Sequence, residues 1–140
     1  MPEYCGQPYW VQEKPCNKWQ KAGLRYEARV IKKIQKMYGE RALIRPNQWI
    51  AYEHTWCQAD CILIPHDPQL NVVVVEVKLK QRDDAEMKLR NLYSPLVQDL
   101  EGKLATSVQI TRCLSGDIDQ PIYTLDQLFE IRDYGVVFCS

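Results

Sequence analysis

At 140 residues, with 46% hydrophobic and 26% charged positions, the chain has the size and composition of one globular domain, and it carries no low-complexity tract, fixed-period repeat or glycine-serine linker. No run approaches the roughly 18 apolar residues of a membrane helix, and the start MPEYCGQPYW lacks the basic-then-apolar layout of a signal peptide, so a cytoplasmic protein with six reduced cysteines is expected. The formal net charge is zero, yet residues 14–45 hold ten Lys or Arg against only Glu27 and Glu40, a local +8 that the rest of the chain balances.

Residues 22–38 (AGLRYEARVIKKIQKMY) predict an amphipathic helix ending near Gly39. At 100° per residue, Leu24, Ala28, Val30, Ile31, Ile34, Met37 and Tyr38 share one broad face, and Arg25, Arg29, Lys32, Lys33 and Lys36 share a narrow opposite arc. That arc is the candidate phosphate-binding surface for DNA, although a solvated helix face explains many basic stripes. A turn over 45–47 leads to a strand at 49–54, then a second strand at 59–64. The loop PHDP precedes VVVVEVKLK at 72–80, the strongest strand signal in the chain, and Ile62 and Val74 are expected in neighbouring antiparallel strands.

Helical spacing resumes at Asp83-Asp84 with Leu89, Leu92, Tyr93, Leu96, Leu100 and Leu104. Pro95 either kinks that helix, or Ser94 caps a new one with the proline in its first turn. A strand at 107–114, a short helix at 124–131 capped by Thr124, and a strand at 135–139 complete the order. The expected class is α/β, a central mixed β-sheet flanked by α-helices, forming a single domain over 1–140 with its core at about 21–114, an aromatic and basic extension at 1–20 and a helix and strand at 115–140.

Asp60 is followed sixteen positions later by Glu76-Val77-Lys78. Residues two apart on a strand project together, so Glu76 and Lys78 share one side of an otherwise apolar strand. Unpaired buried charge costs several kcal/mol, so the two need each other, a metal ion, or both as partners. Asp60 on the preceding strand falls near Glu76, and two carboxylates make a hard oxygen site suited to Mg2+. Glu27 lies at i, i+4, i+7 spacing with Ile31 and Ile34, inside the apolar arc; it reads either as a buried salt bridge with Arg25 or Lys78, or as a third carboxylate at the same site.

GLRYE with Glu27, QAD with Asp60 and EVK with Glu76 and Lys78 together resemble the PD-(D/E)xK nuclease superfamily. The resemblance covers about 21–114, and Ala59 stands where the family's first signature has proline. It implies a restriction-endonuclease-like core of a helix, three antiparallel strands, a helix and a strand. It implies Asp60 and Glu76 as ligands of Mg2+, with Mn2+ as a substitute, Glu27 as the supporting carboxylate, and Lys78 as the catalytic lysine. Many members place a glutamine or tyrosine on the following helix, and Gln98 is the candidate, with Tyr93 nearby. The implied activity is hydrolysis of phosphodiester bonds in DNA by a phage, mobile-element or repair nuclease; the alternative is a non-catalytic DNA-binding module on the same fold. Recognition of a long site would require a homo-oligomer, a dimer or larger.

Two other constellations compete. Cys57-x-x-x-Cys61 with His54 and His66 has the composition of a zinc site without a C-x-x-C pair, and Cys61 reads equally as a small buried hydrophobe. Tyr4, Tyr9, Trp10 and Trp19, interleaved with Lys14 and Lys18, either stack unpaired bases or pack the terminal segment onto the domain, the second being favoured.

Overall fold

The computed structural model describes residues 1–11, 16–80, 87–113, 122–131 and 135–138. The expected helix is α1, Lys18–Tyr38, one turn longer than its apolar periodicity indicates. Asn17 explains the extra turn. Its side chain accepts from the Gln20 amide at 2.9 Å, and the Gln20 side chain accepts from the Asn17 amide at 2.9 Å, a capping box that satisfies two helix-end donors without any apolar residue. The buried arc of α1 is Tyr26, Val30, Ile31, Ile34 and Tyr38, whereas Leu24, Ala28 and Met37, expected on the core face, are exposed. The true contact arc is therefore centred close to Glu27.

The sheet has seven strands: β1 (Glu3–Cys5), β2 (Ala42–Tyr52), β3 (Thr55–Pro65), β4 (Val72–Lys80), β5 (Ala105–Cys113), β6 (Ile122–Tyr123) and β7 (Gly135–Phe138), in the spatial order β1-β2-β3-β4-β5-β7-β6. β1 to β4 pair antiparallel to one another in succession, and β4, β5, β7 and β6 are mutually parallel. Ile62 faces Val74 in direct register, as the alternation of the two strands requires. The element order of helix, three antiparallel strands, helix and strand is present, and the mixed sheet flanked by helices is as expected.

Two apolar clusters lie on opposite sides of the sheet. On one side α1 and a 3-10 helix (Leu125–Glu130) pack over Cys61, Leu63, Val73, Val75, Val77, Val108 and Ile110. Tyr38 ties this layer together, donating to the Leu125 carbonyl at 2.8 Å and meeting Phe129 edge-on at 5.1 Å. On the other side Leu89, Tyr93 and Val97 cover Ile50, Ala59, Ile62, Val72 and Val74.

Four local outcomes differ from the sequence-based expectation. The turn expected over 45–47 is absent: β2 runs through it, with Asn47 at φ 47°. Ala42 and Ile44 face the α1 side whereas Ile50 faces away; likewise Leu63 and Cys61 face α1 whereas Ala59 and Cys57 face away. Both strands thus exchange faces at the Asn47 and Asp60 level, and because they do so together the β2–β3 register is unbroken on either side. The hairpin reverses at Glu53 and His54, both at positive φ, the conformation of a two-residue primed turn.

Second, Ser94 is no N-cap. Its backbone is helical, it donates its amide to the Leu89 carbonyl, and a π-helical turn (Leu89–Tyr93) leads into α2 (Ser94–Glu101) with Pro95 in its first turn. The wider turn accommodates a proline that would otherwise strike the carbonyl four residues back. The freed Ser94 hydroxyl bonds to Ser107 on β5 instead. Residues 83–86, where that helical pattern was expected to begin, lie outside the described residues.

Third, β1 and β6 had no signal of their own; both are short strands added to a sheet edge or end. Fourth, the segment at 124–131 is 3-10 rather than α-helical, although Thr124 does cap it, in a capping box with Gln127. The closing strand lies at Gly135–Phe138.

Candidate active site

The β3–β4 pairing ends at Cys61 and Val75. Beyond it, the Val77 amide donates to the Asp60 carboxylate at 2.7 Å, so a side chain occupies the place where a ladder carbonyl would be. The face exchange at Asp60 makes this geometry available: the strand leaves the ladder and its carboxylate remains. Glu76 and Lys78 project from β4 into the opening, with Lys78 Nζ 3.9 Å from Glu76 Oε2. Glu76 is 4% exposed and its Oε1 is buried without a hydrogen-bond partner.

Glu27 approaches from α1. Burial first, then the Asp60 charge, raises its carboxyl to about 7, with Lys78 acting in the opposite sense. Burial and Asp60 likewise raise Glu76 to about 8, against Lys78 and the Asp60 amide. Asp60 is raised mainly by burial and held down by the Val77 amide, Lys78, a hydrogen bond with Glu76, and Lys88. The three carboxyl groups and Lys78 therefore feel one another, and two of the carboxyls are raised by the charge of Asp60 as well as by burial.

Excess negative potential and an orphaned buried oxygen are the conditions a cation relieves. Among the described residues, however, no three acidic, histidine or cysteine groups stand together as a closed metal cluster. The arrangement fits an ion that takes one or two carboxylates and completes its shell with water and substrate, as Mg2+ does, and not a fully protein-caged metal.

Gln98 is not brought to this cluster. Its Oε1 accepts from the Ala105 amide at 3.2 Å, linking the end of α2 to the start of β5, a distant structural role. Tyr93 is there instead: it is 7% exposed, and burial, Glu76 and Asp60 all push its hydroxyl upward. Gln109 and Thr111, both fully buried, stand beside Glu76 and Lys78 in the parallel register of β5. The signal that locates them is the alternation of Ser107, Gln109 and Thr111 with Val108 and Ile110 on a strand buried on both faces. Lys88 had no signal beyond its charge.

Arg25, Arg29, Lys32, Lys33 and Lys36 are all exposed on α1. The zinc alternative fails on the face exchange, since Cys57 packs on the α2 side of β3 and Cys61 on the α1 side. Burial pushes the Cys61 thiol up to about 12 and the Cys57 thiol up to about 11. Cys5, Cys57 and Cys61 are free thiols. No helix among the described residues is long and apolar enough to cross a membrane.

No protein-family model matches the chain, and no curated protein matches it. A solved structure described as "crystal structure of a repair endonuclease from Pyrococcus abyssi" is similar over 91% of this chain, at 15% identity and a TM-score of 0.48. The chain spans about half of that protein, 48% of its length.

Proposed function

We propose that the chain is a Mg2+-dependent nuclease that hydrolyses phosphodiester bonds in DNA, of the phage, mobile-element or repair type and with the site of the PD-(D/E)xK superfamily. The observation that carries the reading is the opening between β3 and β4, where Asp60, Glu76 and Lys78 converge and the Glu27 carboxyl is raised to about 7 by burial and then by the Asp60 charge. Asp60 and Glu76 are the residues that would hold the ion, with Glu27 behind them. Bound there, the cation would lower the pKa of a coordinated water and offset charge growing on the phosphate.

The chain's own groups supply the rest. Lys78, 40% exposed at its side chain, reaches both Glu76 and solvent, so its ammonium is placed to orient a water or to neutralise a phosphate oxygen. The Val77 amide fixes the Asp60 carboxylate, which costs no ordering when substrate arrives. Exposed cations of α1 attract the backbone of the nucleic acid.

The test is incubation of the purified protein with linear, circular, single-stranded and branched DNA in Mg2+ or Mn2+. Cleavage that disappears in Lys78→Ala and Asp60→Ala supports the hydrolase. Binding without cutting in every divalent metal refutes it in favour of a DNA-binding module.

A further inference from the structure

Trp19 is 76% exposed in the first turn of α1, a costly position for the largest apolar side chain. It stands at the rim of a groove of about 850 Å3 between α1 and the ends of β4 and β5. Arg25 and Arg29 form one wall, Leu79 and Lys80 the floor, and Arg112 the far side. No acidic residue is among the described residues that line it. The other N-terminal aromatics are committed elsewhere: Trp10 packs edge-on against Trp56 at 4.7 Å and against Tyr9 at 5.0 Å, and the Tyr4 hydroxyl donates to Glu101 at 2.8 Å. Trp19 alone of them faces this cationic groove.

We infer that this groove binds single-stranded DNA, with an unpaired base stacked on Trp19 and successive phosphates held by Arg25, Arg29, Lys80 and Arg112. An apolar floor bounded by an aromatic plane and by cations matches the two faces of a nucleotide, its flat base and its anionic linkage. A paired base has no free face to offer to Trp19, so the chemistry favours a strand, end or flap over an intact duplex. Planar guanidiniums, three of the four cations, also hold phosphate oxygens in pairs. The floor lies one and two residues beyond Lys78 on β4, and Arg112 follows the residue that is in register with Lys78. The groove therefore lies at the same end of β4 as the candidate active site, on the α1 face where Val77 and Leu79 pack, whereas Glu76 and Lys78 alternate onto the other face. This assignment deepens the hydrolase reading and rests on it only for the fate of the bound strand.

The experiment measures binding in EDTA, where no cleavage occurs, by fluorescence anisotropy of a labelled twelve-nucleotide oligo-dT and of a twelve-base-pair duplex. The single strand binds more tightly. Trp19→Ala weakens the single strand roughly tenfold while changing duplex binding by less than twofold, and Trp19→Phe restores most of the loss. Arg25→Ala with Arg112→Ala lowers the salt dependence of single-strand binding by about 0.7 in log–log slope for each phosphate that is no longer neutralised. Helicity measured on each variant shows that α1 remains folded. Equal affinity of wild type for both DNAs, or unchanged single-strand binding in Trp19→Ala, overturns the groove assignment. Cleavage assays separate it from the reading it rests on: a Trp19-dependent single-strand binder that never cuts retains the groove and loses the hydrolase, and a nuclease indifferent to Trp19 does the reverse.

Discussion

Glu76→Gln is the sharpest perturbation of the site, because it removes the charge and keeps the shape. In the folded chain Glu76 is raised from its ordinary 4.5 to about 8, chiefly by burial and by Asp60. The folded state therefore binds a proton more tightly than the unfolded one, and the wild type loses stability as pH rises from about 4.5 towards about 8. At about 1.4 kcal/mol per pH unit, the penalty is about 1 kcal/mol at pH 5 and about 3 kcal/mol at pH 7. The amide introduced in its place loses hydrogen bonds of its own, a cost that does not change with pH, so the slope reports the ionisation that Glu76 shares with its coupled neighbours Asp60 and Glu27. The assay is urea unfolding of both proteins in EDTA at pH 5, 6, 7 and 8. The variant gains about 2 kcal/mol on wild type between pH 5 and pH 7, which moves the urea midpoint by roughly 1 M or more for a domain of this size. A difference that stays flat across that range refutes the claim that Glu76 is held in its neutral form by the fold.

Four further outcomes follow from the same geometry. Mg2+ raises the melting temperature of the wild type more at pH 8 than at pH 6, because ligation needs ionised carboxylates, and calorimetry shows the effect absent in Asp60→Asn. Lys78→Met lowers single-turnover cleavage by about a hundredfold or more while DNA affinity in EDTA changes little; loss of binding in parallel with cleavage argues against a role in the chemistry. Ile34→Ala, at a site with 0% exposure beneath the sheet, costs about 3 kcal/mol in denaturant unfolding. Tyr38→Phe loses the 2.8 Å bond to the Leu125 carbonyl and costs about 1 kcal/mol, read the same way, with the 3-10 helix loosened first in hydrogen exchange.

The readable parts of the sequence were those in which one periodicity dominates. The run VVVVEVKLK gave β4 end to end, and its alternation alone placed Glu76 and Lys78 on one side. Glu27 stood out because an acid interrupted the apolar arc of α1, and it does meet the field of Asp60 and Lys78. What escaped was governed by interactions that no local pattern encodes. Side-chain capping by Asn17 extended α1 into polar sequence. Neighbouring strands recruited Glu3–Cys5 and Ile122–Tyr123 into the sheet. Gln98 was assigned by analogy of position; it lies past the π-helical turn and bonds to the Ala105 amide, whereas Tyr93, inside that turn, is the residue whose hydroxyl feels Glu76 and Asp60.

The simultaneous face exchange at Asn47 and Asp60 divides the long β2–β3 hairpin into a base that belongs to the α1 core and a tip that belongs to the opposite layer. The consequence concerns length. A lengthening or shortening of the tip by two residues, one on each strand beside Glu53 and His54, slides no residue past Asp60 and leaves the carboxylate where it is. Loss of one residue between Ala42 and Asn47 would instead turn the β2 side chains between Ala42 and the point of loss to the wrong face, because the compensating irregularity on β3 stays behind. The tip is thus the segment in which related chains can vary in length without disturbing the site, and the base is where they cannot.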